Sequence, residues 1–372
     1  MGKIWIAADS IVSPLGSSSE DNFQSLRKGI SAIENIDDAG LSAVPFFGSK
    51  LKGFELIPEM TLLESITCKA IEKVLDVVKL PLDRTLLILS TTKGNISLLD
   101  EGNRDHPRIH LHAMADFVAT KFGFPRNLVV SNACISGLMA LLVGKRSIES
   151  GAADHVVVVG VDVLSRFVVS GFQSLHALSP QACRPFDAER QGLNLGECST
   201  AVVITGKPEA LDVVPSISIA GGGFSNDANH ISGPSRTGEE LAFAIQQAMS
   251  ESNVTRDEID FISAHGTATL YNDEMEAKAF ALQGFTRIPT HSLKGYYGHT
   301  LGAAGVLEVV LSASSLRHNE LIPSMGFEKI GVSQPLSIIR HLEKKPLNIC
   351  LKTASGFGGC NAAIILRKEH NN

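Results

Sequence analysis

Short, unbroken apolar runs recur along the 372-residue chain, at residues 4–7, 85–90, 128–131, 155–161, 201–205, 213–220, 259–263, 349–354 and 362–366. Stretches with helical spacing of apolar positions lie between several of them, at 108–122, 134–150, 237–252, 272–283 and 299–316. Strands that are apolar throughout, rather than every second residue, belong to sheets covered on both faces, and their alternation with helices predicts an α/β protein. A weak internal echo suggests duplication. The run at 128–131 enters a tight turn and a small-residue helix near Cys134, and residues 289–294 lead into Gly298-His299-Thr300-Leu301-Gly302-Ala303-Ala304-Gly305 and a second helix. A duplicated chain with halves 1–210 and 211–372 would bring these two turns together, although any α/β protein repeats strand, turn and helix.

Composition narrows the picture. Hydrophobic residues make up 44% and charged residues 19%, so a large core is available and disorder is not expected. The net charge of −6 gives no general basic face for nucleic acid. Six cysteines occur without a C-x-x-C pair, which reads as free thiols in a reducing compartment. The first residues read as a strand, and no apolar stretch reaches membrane-spanning length, so a cytoplasmic protein is expected.

Four segments carry candidate chemistry. Ser131-Asn132-Ala133-Cys134-Ile135-Ser136-Gly137 places a thiol at a strand-to-helix turn, where a helix N-terminus would lower its pKa and converging N–H groups could bind an oxyanion. A buried, inert cysteine has the same look. Ser263-Ala264-His265-Gly266-Thr267-Ala268-Thr269 presents a histidine at a strand end, in a capping or a catalytic role. In Lys294-Gly295-Tyr296-Tyr297-Gly298-His299, a histidine opens a Gly/Ala-rich helix, a position that favours the neutral imidazole; Lys294 could pair with an acid such as Glu276. Ser355-Gly356-Phe357-Gly358-Gly359 allows close backbone approach around one aromatic ring, or simply turns a hairpin. His110 and His112 are two apart on an expected helix and so should not share a face, which argues against a metal pair.

Together, and in this order, these segments resemble the elongating β-ketoacyl-[acyl-carrier-protein] synthases of the thiolase fold. The likeness runs from Ile11-Val12-Ser13-Pro14-Leu15-Gly16 through Arg184-Pro185-Phe186-Asp187 and Asn226-Asp227-Ala228-Asn229-His230 to the loop around Phe357. It implies a duplicated five-layer αβαβα architecture. Cys134 would be the acylated nucleophile, and His265 and His299 would bind the malonyl thioester carbonyl and assist loss of CO₂. Lys294 and Glu276, with Asp273 in support, would orient the histidines. The Cys134 and Phe357 amides would form the oxyanion hole, with Gly356 and Gly358 flanking the Phe357 gatekeeper, and Thr267 and Thr269 would meet the phosphopantetheine arm. No metal or free cofactor is implied, because the substrates ride on acyl carrier protein. The expected assembly is a homodimer, or a heterodimer with a ketosynthase-like subunit.

The resemblance also marks departures. Cys198 stands where a second Gly is usual, Ser355 where an aromatic is common, and Cys360 where Thr or His is frequent. These leave the catalytic set intact and bear on acyl length and on fatty-acid against polyketide or polyene chemistry. A non-catalytic, chain-length-factor-like subunit is the main alternative, and such subunits typically lack the nucleophile. Degradative thiolases use a second cysteine near the C-terminus, where Cys360 lies, and initiating synthases carry Asn where His299 stands.

Overall fold

Eleven strands hydrogen-bond in one order in the computed structural model, which describes residues 2–100, 102–228 and 230–369; Asn229 of the Asn226–His230 segment lies outside them. They are β1 (Trp5–Val12), β2 (Thr85–Ser90), β3 (Asn127–Val130), β4 (His155–Asp162), β5 (Cys198–Thr205), β6 (Ile217–Asn226), β7 (Phe261–Ser263), β8 (Pro289–His291), β9 (Ser337–Ile338), β10 (Ile349–Gly356) and β11 (Cys360–Lys368). The principal helices are α1 (Leu62–Val77), α2 (Leu111–Phe122), α3 (Ser136–Glu149), α4 (Arg166–Ser174), α5 (Glu239–Ser252), α6 (Leu270–Leu282) and α7 (Ala304–His318).

The strand order is β9-β8-β7-β10-β11-β6-β1-β5-β4-β2-β3. Outward from β1 the sequence β5, β4, β2, β3 pairs antiparallel, antiparallel, parallel, parallel. Outward from β6 the sequence β11, β10, β7, β8 pairs in the same four senses. The two runs meet where Trp5 pairs with Ser218 and the Ile219 N–H donates to the Ile4 carbonyl at 2.8 Å.

Because β2, β4 and β5 are buried along their whole length, successive side chains enter different layers. Val157, Val159 and Val203 pack on Ile66, Ile71, Met114 and Val118 of α1 and α2. Val156, Val158 and Ile204 face a central cluster with Leu138 and Leu141 of α3, Val306 and Val310 of α7, and Ile364 and Leu366 of β11. On the other side of β11, Ala363 and Ile365 join Leu241, Ile245, Met275 and Phe280 of α5 and α6. The result is the five-layer, thiolase-like α/β arrangement. The two central helices touch through backbone: a Cβ on Gly137 would sit 2.7 Å from the Val306 nitrogen, and one on Gly305 would sit 2.5 Å from the Leu138 nitrogen. Among the described residues, no helix is long and apolar enough to cross a membrane.

All nine expected strands occur, with shifted ends. β1 continues to Val12 because its polar residues find tertiary partners: Ser10 donates to the Ala70 carbonyl at 2.7 Å, and Asp9 pairs with Arg317 at 2.9 Å. Helix α1 was not expected from apolar spacing, yet it carries a sequence-visible capping box. The Glu64 amide donates to Thr61 Oγ1 at 3.2 Å, and the Thr61 amide donates to the Glu64 carboxylate at 3.0 Å.

Candidate active site

Cys134 sits two residues before α3, on a turn held under backbone strain. Ala133 adopts φ +44°, a conformation that costs an L-residue about 1–2 kcal/mol. Ser136 holds it there: its Oγ accepts from the Asn132 amide at 2.7 Å and donates to the Ala133 carbonyl at 2.6 Å. The turn aims Sγ at the C-terminal ends of β7 and β8. There His265 follows β7, and His299 follows the short helix Lys294–Tyr297 that comes after β8. Ligand-capable atoms of Cys134, His265 and His299 all lie within 4.8 Å of one another, and the two imidazoles meet edge-on with centroids 5.2 Å apart. The three residues sit at the base of one cavity of about 440 Å³.

The imidazoles are neutral. Burial depresses both pKa values well below the ordinary value of 6.5, with Lys294 the next cause for each and Lys352 contributing to both. The Leu301 amide donates to His299 Nδ1 at 3.3 Å, so the ring proton sits on Nε2, which has no hydrogen-bond partner among the described residues and is free to donate; His299 lines the cavity. His265 Nδ1 is likewise buried and has no partner among the described residues. Neutrality of His299 was expected from a helix N-terminus; instead a 3₁₀ turn, Leu301–Ala303, separates it from α7.

Two further expectations are corrected. The thiol pKa was expected to be low, but burial pushes Cys134 up to about 12, with Lys294 and the Phe357 amide only partly opposing it. Lys294 pairs with Glu308 of α7 at 2.6 Å, not with Glu276. The Glu276 carboxylate instead accepts from the His265 amide at 2.8 Å, the Gly266 amide at 2.6 Å and Thr353 Oγ1 at 3.0 Å, fixing the turn that presents His265. Asp273 accepts from the Phe186 amide at 2.7 Å and the Ala268 amide at 3.2 Å, and burial raises its pKa to about 7.

Thr267, Thr269, Gly356 and Phe357 line the same cavity, and Gly358 does not. Thr267 and Thr269 share a hydroxyl contact of 2.9 Å on its wall. A Cβ on Gly356 would lie 3.1 Å from the Cys134 amide nitrogen, so glycine lets β10 approach Cys134 without crowding it. Gly358 follows with φ +85°. Phe357, 39% exposed, stacks on Phe172 of α4 at 5.9 Å between centroids. Cys360 turns its thiol toward the Phe357 carbonyl at 3.3 Å. Cys198 is fully buried and contacts Thr200 Oγ1 at 3.3 Å.

Sequence reasoning missed Glu308 and Lys352, both buried beside the histidines. The signal was available: each is a charge inside an apolar element, and such residues are almost never fully buried unless paired. It also misjudged His110. That residue precedes α2 rather than lying in it, so its ring stacks on His112 at 5.7 Å. Among the described residues, the one His/Cys/Asp/Glu group compact enough to share a metal is Cys134, His265 and His299 itself, and the neighbouring ammonium groups oppose a cation there.

The comparisons with known proteins agree with this geometry. Residues 99–210 match the family profile "Beta-ketoacyl synthase, N-terminal domain", and residues 217–328 match "Beta-ketoacyl synthase, C-terminal domain". The chain is 30% identical over 298 residues to 3-oxoacyl-[acyl-carrier-protein] synthase 2 of Vibrio cholerae, covering 74% of this chain and 72% of that one. The chain belongs to the beta-ketoacyl synthase family. Another family member, 3-oxoacyl-[acyl-carrier-protein] synthase 2 of Rhizobium meliloti, is 34% identical over 273 residues, 70% of this chain; the matched stretch spans 65% of that enzyme's length. A solved ketosynthase (ApeO), in complex with its chain length factor (ApeC) from Xenorhabdus doucetiae, superposes with a TM-score of 0.87 at 26% identity, over 99% of this chain and 98% of that one. The resemblance seen in the sequence and the fold it implied are thus both established. The two family profiles end at residue 328, before the Phe357 loop.

Proposed function

We propose that the chain is a β-ketoacyl-[acyl-carrier-protein] synthase catalysing decarboxylative Claisen condensation in fatty-acid or polyketide/polyene chain elongation. The observation that carries the reading is the convergence of one thiol and two neutral imidazoles within 4.8 Å at the base of one cavity. In the first half-reaction Cys134 Sγ attacks an acyl thioester, the pantetheine thiol leaves, and the Cys134 and Phe357 amides receive the oxyanion. In the second, the carbonyl of a malonyl thioester accepts hydrogen bonds from His265 and His299. Its C–C bond to the carboxylate breaks, and CO₂ leaves. The enolate carbon then attacks the Cys134 thioester, giving a β-ketoacyl thioester and expelling the Cys134 thiolate, which takes up one proton from solvent to restore the thiol. Neutral donors suit this step because negative charge develops on the carbonyl oxygen, where a carboxylate would repel it.

Thr267 and Thr269 line the path of the phosphopantetheine arm, and Phe357, stacked on Phe172, gates between loading and extension. Acyl carrier protein brings both substrates, and the scheme uses no free cofactor. The chain acts in the cytoplasm, at least as a dimer. Supporting that assembly, β3 is an edge strand that exposes Leu128. The neighbouring ketosynthase–chain length factor complex supports a heterodimer as the other form. The halves are 1–210 and 211–372, supported by the repeated strand order and by family profiles that divide between 210 and 217. A purely chain-length-factor role is disfavoured because Cys134 faces both histidines.

The test incubates the protein with acyl- and malonyl-carrier protein and analyses the products. A β-ketoacyl thioester from the wild type and none from Cys134→Ala is expected; full condensation by Cys134→Ala would reject the assignment.

A further inference from the structure

A second buried lysine stands behind the two histidines. Lys352 lies inside β10, fully buried, with its ammonium spoken for on three sides. It pairs with Glu308 of α7 at 2.6 Å. It also donates to the carbonyls of Ser263 and Ala264, at 3.1 Å each. Those are the two residues immediately before His265. One side chain therefore joins the strand end that presents His265, the helix that follows His299, and the strand that runs into the Phe357 loop. Lys294 occupies the other oxygen of Glu308, so one carboxylate bridges two ammonium groups and the cluster is left net positive.

We propose that Lys352 is a positioning residue for the decarboxylation half-reaction: it fixes His265 through the Ser263 and Ala264 carbonyls and, with Lys294, turns the Glu308 cluster into a cationic support behind both imidazoles. The inference rests on the condensing function proposed above. Lysine in the interior of a strand is otherwise unfavourable, because burying an ammonium costs several kcal/mol unless it is paired and hydrogen-bonded. Here the ammonium has two carbonyl acceptors and one carboxylate ion-pair partner, so the residue is built into the site. A net positive cluster disfavours the imidazolium and favours the enolate, both of which serve loss of CO₂. Acylation of Cys134 uses neither of those effects directly.

The groups that face the histidines are Cys134, Lys294, Lys352, the Glu276 carboxylate on the His265 amide and, through the lysines, Glu308; Lys352 is also faced by Glu276. His291, on the adjoining β8, lies within reach of both Lys352 and Glu308. Removing the Lys352 charge leaves Lys294 as the one ammonium on Glu308 and weakens the field that keeps His265 and His299 unprotonated.

The experiment separates the two half-reactions in purified full-length protein. Cys134 acylation by an acyl-carrier protein is followed by intact mass, and labelled CO₂ release from malonyl-carrier protein is followed across pH. Lys352→Met is expected to acylate Cys134 within about threefold of wild type while CO₂ release falls about tenfold or more at unchanged KM. Its acid limb moves to higher pH, because the histidines then protonate more easily. Lys352→Gln, which keeps an N–H donor for the carbonyls, is expected to recover part of the rate but not the pH profile. Equal slowing of both half-reactions with an unmoved pH profile, wild-type CO₂ release in Lys352→Met, or failure of both variants to fold would each overturn the proposal. A wild type that neither acylates Cys134 nor releases CO₂ would instead reject the condensing function itself.

Discussion

In the proposed reaction, the two topologically equivalent halves of the site do opposite jobs. In the first half, the turn after β3 carries a thiol and is held by neutral hydrogen bonds, above all the hydroxyl of Ser136. In the second, the turns after β7 and β8 carry two imidazoles backed by Lys294, Lys352, Glu308 and Glu276, all buried. The halves are also tied across the site: Asp162, at the end of β4, accepts from the Gly302 amide at 2.7 Å, just past His299. The repeated strand order thus supplies two strand-end turns that face each other, and in the proposed reaction side-chain chemistry alone makes one the nucleophile and the other a charge-stabilising donor pair. The electrostatics differ accordingly. Burial dominates Cys134 and keeps it a thiol, whereas burial and nearby ammonium groups act together to keep the histidines neutral.

Variants that isolate each half should break the comparison if it is wrong. The largest effect is expected for Cys134→Ala, which should reduce condensation to background while leaving release of CO₂ from malonyl-carrier protein measurable. His299→Ala should do the reverse. Loss of one charge-stabilising donor costs about 10²–10³ in rate, so CO₂ release should fall by that factor while Cys134 still acylates. Gly305→Val tests the crossing that holds the halves in register, because its Cβ would meet the Leu138 backbone. Overpacking of this kind costs about 1–3 kcal/mol, read as a fall in Tm of about 1–2 °C per kcal/mol, with both half-reactions lowered together.

A separate effect is expected on stability at alkaline pH. Burial raises Cys68, Cys134, Cys183, Cys198 and Cys350 to about 12. Unfolded, a thiol loses its proton near pH 8.5. Unfolding therefore releases protons above that pH, and stability present at neutral pH is lost progressively as pH rises from about 9 toward 12. Denaturant midpoints at pH 8 and pH 10.5 should differ in that direction. Lys352, which burial depresses, pulls weakly the other way.

Much of this was legible in the residues. Unbroken apolar runs such as 85–90 and 155–161 located the central strands because both faces of those strands are covered. The histidine and cysteine turns were recognisable because glycine and small residues are favoured where helices and strands approach closely, as at Gly137 and Gly305. What the sequence could not convey was long-range pairing. Lys294 and Glu276 are both present and plausible partners, but Glu308, one helix later, takes the lysine. The low pKa inferred for Cys134 assumed a solvent-accessible helix start, and only the packed structure reveals the desolvation that reverses it. Position 110 failed for a local reason, since a residue just outside a helix does not follow helical spacing.

The claim that the two halves form one condensing site is tested most directly by a chase. Acylated protein, with the adduct assigned to Cys134 by peptide mass, is mixed with malonyl-carrier protein. The account predicts that the adduct disappears from Cys134 as CO₂ and a two-carbon-longer β-ketoacyl thioester appear in equal amounts. Release of free acid in place of that product, or an adduct that persists while CO₂ is formed, would contradict it.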